Sequence, residues 1–490
     1  MSQLGAYNFV NFGEGTGAAS ASDVNELNKA LSAGAGYSGA PTALSGGGVL
    51  QVESLDASLK SVTYEMKQIK MWPQMPKDQA YNTIEEYNRV DAYGDQGKGF
   101  IAEGALPRSE DSHYSRQIQR VRFIGVTREL THVYTLVRNA HGDAIAREIR
   151  NGTMRILEIV ERNLFDGHGW YSNAGMFDGA DAALLPESDL AFDGLDKQIR
   201  KGNSDASAKA SAFTGYGNDE DVIKDLRGLV QDEDSLEDGA RVVSENFGVA
   251  SLWMGDTKSH SDLARQFYPK ERVNPMGVSN GKAGFVLQSF VASAGEFALQ
   301  SNVFLRPKRG APAPLADAPA APVITSVTPV APTVANSKFA SADAGAYSFR
   351  ASAINAAGEG ALGAAVSGTV AAAGALDVLV AATAGAIAYA IYRAPVGTVV
   401  GHEFIGYVAP ASVGAAATLR DLNQRLPGLA QNYLLSMDSE VMRFKQLAPL
   451  MKMDLAIVAT AYRWMQLLYG TMIVFAPRKN YIYMNIGRAA

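Results

Sequence analysis

The longest regular alternation of apolar and polar positions is Gly142–Gly167, GDAIAREIRNGTMRILEIVERNLFDG. Ile145, Ile149, Ile156, Val160 and Leu164 return to one face of a helix, and Gly152 lies on the same stripe. Arg147, Glu148, Arg150, Arg155, Glu158, Glu161 and Arg162 fill the intervals, with Glu158–Arg162 a favourable i,i+4 pair. Asp143 is a candidate cap and Gly167 a candidate stop. The pattern predicts one amphipathic helix of roughly 24 residues, about 36 Å long. A narrow apolar stripe on so charged a rod suits a helix lying across a sheet; a long surface helix of an α/β enzyme fits this stretch equally.

Elsewhere the period is that of strands. Thr83–Val90 and His113–Val126 alternate, and between them runs the glycine-punctuated DAYGDQGKGFIAEGALPRSED. Two strands with a long polar tip and no local apolar partner predict a projecting hairpin, which is marginal in water without a surface to lie on. Residues 1–60 are rich in Gly, Ala and Ser, with one weak helical patch at Ala21–Leu31, and are expected to lie on a neighbour. Leu55–Met71 is more apolar, and Pro73 and Pro76 end any regular element after it. Past the long helix, DGHGWYSNAGMFDGADAALLPESD reads as a loop and Val222–Gln231 as a short helix. Gly248–Met254 reads as a strand, Asp256–Phe267 as a helix, and Phe285–Val291 with Phe297–Leu305 as paired strands.

At Arg306 the pattern changes to a Pro/Ala linker, RPKRGAPAPLADAPAAPVITSVTPVAPT. From Pro322 to about Leu422 short β-like runs alternate with Gly, Ala and Asn, as in a small sandwich. The mixed character returns over Asn432–Lys452, and Met453–Ile486 reads as a series of strands. A sandwich flanked by two halves of another domain is an insertion.

Composition narrows the classes. The chain has 490 residues, enough for two or three domains, and Lys+Arg 44 against Asp+Glu 50 gives a net charge of −6, with no bulk basic footprint for nucleic acid. The absence of cysteine excludes disulfides and thiolate chemistry. MSQLGAYNFVNFGEG has no basic start before an apolar run, so a secretory signal is not expected. Ala361–Tyr392 has the length and low charge of a membrane span, but Ala and Gly dominate it, Asp377 interrupts it, and Val378, Val380, Ile387, Tyr389 and Ile391 favour strands.

Catalytic patterns are weak. Gly94-Asp95-Gln96-Gly97-Lys98-Gly99 lacks the spacing and the Ser/Thr of a phosphate loop, and Gly281-Lys282-Ala283 fails in the same way. His402-Glu403 lacks a second histidine, and the six histidines are scattered. No G-x-S-x-G elbow occurs. Glu85 and Glu86 point to opposite faces of a strand, and Asp232, Glu233 and Asp234 read as a solvated turn. No catalytic, cofactor or metal residues are assigned.

The order of parts (loose arm, long hairpin, long helix, mixed body, final strands) resembles the major capsid proteins of tailed bacteriophages, the fold typed by phage Hong Kong 97. The resemblance implies an α+β fold with an N-terminal arm over 1–70, an extended loop over 71–128 centred on Thr83–Val126, and a peripheral domain over 129–216 holding the spine helix Asp143–Asp166. It implies an axial domain over 217–310, continued by 424–452, and closing peripheral strands over 453–490. The insertion, 311–423, is similar to Ig-like and fibronectin type III modules in Tyr347–Asn355, Gly358-Glu359-Gly360 and Tyr389–Ala394. There Tyr347, Phe349, Ala351 and Ala353 should point inward, and Arg350 and Ser352 outward.

By resemblance the chain is a non-enzymatic structural subunit, assembled in the host bacterial cytoplasm into the virion. Its partners are then copies of itself in hexamers and pentamers, with scaffold, portal and decoration or cement proteins, weak non-specific contact with packaged double-stranded DNA, and no membrane. Intersubunit contacts are expected at Lys98 and Phe100 on the loop tip and at Arg147, Arg155 and Glu158 along the spine. The family can also join Lys to Asn between subunits; Lys98 lies where such a lysine would, although an exposed or salt-bridged tip residue is the simpler reading. Two other readings stay open: a fibre- or adhesin-like surface protein whose sandwich binds glycans, and an enzyme with an Ig-like accessory domain.

Overall fold

The computed structural model describes residues 63–94, 100–137, 142–167, 191–204, 220–267, 287–307, 310–355, 357–456 and 460–488. Those from 63 to 137 and from 144 to 488 belong to one compact unit. Almost all of the expected arm, its Ala21–Leu31 patch, the loop after the long helix and Gly281-Lys282-Ala283 lie outside the described residues.

A helical turn, α1 (Met71–Gln74), leads into β1 (Lys77–Gln79), β2 (Ile84–Ala92) and β3 (His113–Arg120). β2 and β3 pair only with each other, as the expected hairpin. The second expected strand is in fact two. At Val121 the chain turns out of the hairpin, its N–H donating to the Thr83 carbonyl, and continues as β4 (Arg122–Thr131) in a different sheet. After the short α2 (His132–Leu136), α3 (Ala144–Asp166) is the long helix, with Gly152, Ile156, Val160 and Leu164 buried along the stripe.

The expected helix Val222–Gln231 is absent. β5 (Ile223–Asp225) is a strand, and Arg227 (φ 47°) with Gly228 (φ 87°) turns the chain sharply after it. The helix begins later, as α5 (Glu233–Glu245), following the earlier α4 (Leu195–Ser204). The Asp232 carboxylate accepts the Ser235 N–H at 2.9 Å, and Glu233 and Asp234 sit in the first turn, where negative charge suits the helix dipole. The acidic triplet read as a solvated turn is therefore a helix start. β6 (Leu252–Gly255), α6 (Thr257–Phe267), β7 (Ser289–Ala292) and β8 (Gly295–Ser301) follow.

The insertion is an all-β sandwich. β9 (Ile324–Val330), β13 (Ala375–Val380) and β16 (Ala417–Asp421) form one sheet, in the order β16-β13-β9. β10 (Gly345–Asn355), β11 (Gly358–Glu359), β12 (Val366–Val370), β14 (Ala388–Arg393) and β15 (Glu403–Val408) form the other. The apolar run Ala361–Tyr392 is thus β12 to β14, and among the described residues no helix is long and apolar enough to cross a membrane. Tyr347, Phe349, Ala351 and Ala353 do face the core between the sheets. Ser352, expected outward, is also fully buried, because the second face of the β10–β14 sheet is covered as well.

Part of that cover is the Pro/Ala linker. Ala311 packs on the cluster of Ile354, Ala388, Ala390, Tyr392 and Phe404, and the Asn355 amide donates to the Asp317 carbonyl at 2.9 Å. Gly360 and Gly363 let it pass: a Cβ at either would sit 2.2 and 1.9 Å from the carbonyl oxygens of Pro319 and Pro322. Because β9 and β16 both run antiparallel to β13, the chain enters beside Val380 and leaves beside Leu376, at opposite ends of that strand.

The host resumes with β17 (Ala430–Leu435), β18 (Met442–Asp454), β19 (Ala461–Val474) and β20 (Tyr481–Ile486). Here the expected division fails. β18 and β19 form one long antiparallel hairpin in the sheet under the spine, order β1-β18-β19-β4. β17 and β20 pair in the six-stranded sheet, order β5-β20-β17-β6-β8-β7. Residues 442–452 therefore belong with the spine helix, and 481–486 with the sheet of 217–310, the reverse of the sequence expectation. A long hairpin keeps its two strands in one sheet, so the change of sheet falls before and after it. The result is an α+β molecule in which both host sheets share one apolar core, from Met71 and Ile156 to Trp253 and Tyr483.

Candidate subunit interface

Charge holds the root of the hairpin. Lys445 of β18 places its Nζ 2.8 Å from Asp78 and 3.3 Å from Glu85, and Arg443 lies 3.2 Å from Asp78. Burial works against the Lys445 charge, but its two carboxylate partners outweigh that and hold its pKa above the ordinary value. The Lys445 ammonium in turn holds the Asp78 carboxyl below the usual range, helped by the Gln79 N–H. One residue further along this face, the Tyr87 ring meets Phe475 edge-on at 5.0 Å.

The alternation of β2 and β3 then dictates what faces away. Ile84, Val90, Tyr114 and Ile118 all lie exposed on the outer face, with a 3.3 Å Glu86–Arg116 ion pair among them. Glu85 and Glu86 do point to opposite faces, one to Lys445 and one to Arg116. Beyond the strands Phe100 is 95% and Leu106 93% exposed. Exposed apolar side chains gathered on one face of a hairpin make that face a candidate association site.

Lys98 lies outside the described residues. Phe100 is on the exposed loop, far in sequence from the spine, and Arg147 donates to the Tyr134 hydroxyl at 3.0 Å. Arg155 is exposed and pairs with Glu158 at 2.6 Å. Glu158 is only 6% exposed, and Arg155, Arg162 (3.0 Å) and the Tyr64 hydroxyl (2.8 Å) bond it within the chain.

Glu161 lies one helical turn on from Glu158. It is fully buried and accepts the N–H groups of Lys70 (3.0 Å), Met71 (2.8 Å) and Trp72 (2.9 Å), and the Asn302 amide at 2.6 Å. It therefore stops the N-terminus of α1 and joins the strap of residues 63–76, the spine and the segment after β8. Nothing in the local pattern separates it from Glu158, since the covering strap comes from some ninety residues away.

Among the described residues no group of three or more His, Cys, Asp or Glu side chains is placed to hold a metal ion. No family model and no curated protein matches the chain. Among solved structures it is similar to the capsid of a native GTA particle, at 9% identity over 90% of this chain and 98% of that one, TM-score 0.42. It is also similar to the capsid of cyanophage P-SCSP1u, at 7% identity over 90% and 94%, TM-score 0.42. A third likeness is to the holo-SrpI encapsulin complex of Synechococcus elongatus PCC 7942, at 9% identity over 88% and 92%, TM-score 0.36.

Proposed function

We propose that this chain is the major capsid protein of a tailed bacteriophage, a structural subunit that assembles as hexamers and pentamers into an icosahedral shell around packaged double-stranded DNA. The observation that carries this reading is the hairpin: held by ion pairs at its root, it presents an apolar outer face and an apolar loop that are exposed among the described residues. Symmetric copies that cover such surfaces for one another gain many modest contacts at high effective concentration. In this reading the sheet under the spine is the peripheral part, the six-stranded sheet the axial part, and the sandwich an Ig-like addition. The partners are other copies of the chain, with scaffold, portal and decoration proteins joining during assembly in the host cytoplasm. A net charge of −6 suits weak, non-specific contact with the genome.

The test is sedimentation and negative-stain microscopy of the purified chain, expressed alone and with the genes that flank its own. Closed shells, or hexamers and pentamers that convert to shells, are expected. A monomer or trimer under every condition overturns the reading and turns attention to glycan binding by the sandwich.

A further inference from the structure

The sandwich is joined to the host by more than its two chain connections. Arg227, just past β5, donates from Nη1 to the Asn423 carbonyl (2.7 Å) and from Nη2 to the Lys338 carbonyl (2.9 Å), and pairs with Asp343 at 3.0 Å. Those three acceptors belong to the base of the sandwich. Asn423 is itself buried: its amide donates to Asp343 (3.1 Å), its side-chain oxygen accepts from Arg393 (2.7 Å), and its N–H donates to Asp421 (2.9 Å). Arg393 pairs with Asp421 at 2.6 Å and lies over the Tyr347 ring, which carries the network into the sandwich core.

From the other side Asn485 of β20 donates to Asp225 and to the Gln424 carbonyl, both at 2.7 Å, and accepts the Leu426 N–H at 2.8 Å. Arg227, Asn423 and Asn485 have φ of 47°, 56° and 54°. A side-chain-bearing residue keeps that left-handed conformation only where its surroundings over-determine it, and here three such residues meet at one junction.

We infer that Arg227, Asn423 and Asn485 form a clamp that fixes the sandwich to the edge of the six-stranded sheet, so that insert and host behave as one rigid, cooperatively folding body instead of a tethered module. The linker supports this, since it is laid along the sandwich and hydrogen-bonded to it rather than left free. The clamp closes within one chain, so it stands or falls independently of the capsid reading.

The experiment is hydrogen exchange with thermal unfolding on the full chain, comparing wild type with Arg227→Gly and Asn423→Gly. Glycine accepts the left-handed backbone, so only the side-chain bonds are lost. Wild type should unfold in one transition. Each variant should exchange at least about tenfold faster over residues 338–345 and 421–426, and the sandwich should melt in a separate, earlier step. Arg420→Ala, which breaks only the exposed pair with Asp377, should change neither readout. Two transitions in wild type, or variant exchange within about twofold of it, overturn the clamp. If Arg227→Gly does not fold, Arg227→Lys, which keeps the charge but loses the two-pronged contact, decides by the same readouts.

Discussion

Glu161 and Glu158 lie one turn apart on the same helix, and the structure gives them unlike roles. Replacing Glu161 by Ala strands three backbone N–H groups and a buried amide, so Glu161→Ala should cost about 3–5 kcal/mol in a denaturant titration, and Glu161→Gln less, because one acceptor remains. A loss below about 1 kcal/mol would mean that the strap is not held there. At Glu158 the reporter is Tyr64, whose hydroxyl is pushed up to about 12, first by burial and then by its hydrogen bond to that carboxylate. The folded value lies above the ordinary 10.0, so the contribution is complete below pH 10 and is lost as pH rises through about 12. Burial also raises Tyr347, Tyr407, Tyr433, Tyr481 and Tyr483, so phenolate absorbance should show several late-titrating tyrosines; Tyr64→Phe should remove one of them and lessen the alkaline fall in stability. At this scale the sequence displays the residue types but not their burial.

Among the elements, α3 was the most legible because its stripe is local: each apolar position needs only its own helix to define the face. Its relation to the sheet turns on Gly152. Gln466 of β19 reaches across to donate to the Ile149 carbonyl at 2.8 Å, and a Cβ on residue 152 would lie 1.8 Å from its side-chain oxygen. Gly152→Ala gains up to about 1 kcal/mol of helix propensity but must dislodge that bonded amide, for a net loss of about 1–2 kcal/mol. Adding Gln466→Ala should recover part of the loss, and equal midpoints for the two variants would sink the close-packing account. β5 shows the opposite case. Its three residues pair in parallel with β20, some 260 positions away, a partner that no local period announces. The capping signal at Asp232 was present in the sequence, but an acidic triplet suits a turn and a helix start equally until the following apolar face is seen to be buried.

For the whole molecule, the prediction concerns assembly. Ile84 and Ile118 face solvent in the single chain, so Ile84→Asp with Ile118→Asp should leave its thermal midpoint within about 2 °C. The same pair should shift sedimentation from shells or capsomers towards free subunits, because charge would then be buried wherever a neighbour covers the hairpin. Unchanged assembly would show that this face is not an interface. The order of large parts could be read along the chain, since composition changes abruptly at Arg306 and the long helix and hairpin have their own periods. The allocation of the last strands could not: β17 to β20 are all apolar enough for either sheet.

The sequence by itself determined the long helix, the hairpin, the β character of the stretch after the change at Arg306, and the lack of thiol chemistry. Each follows from spacing or residue type within a short window. Only the tertiary structure decided which strand joins which sheet, that Ser352 is covered from outside, that Glu161 lies under a strap, and that Arg227 reaches the base of the sandwich. These depend on partners far apart in sequence, brought together by one shared core, and periodicity carries no information about such pairings.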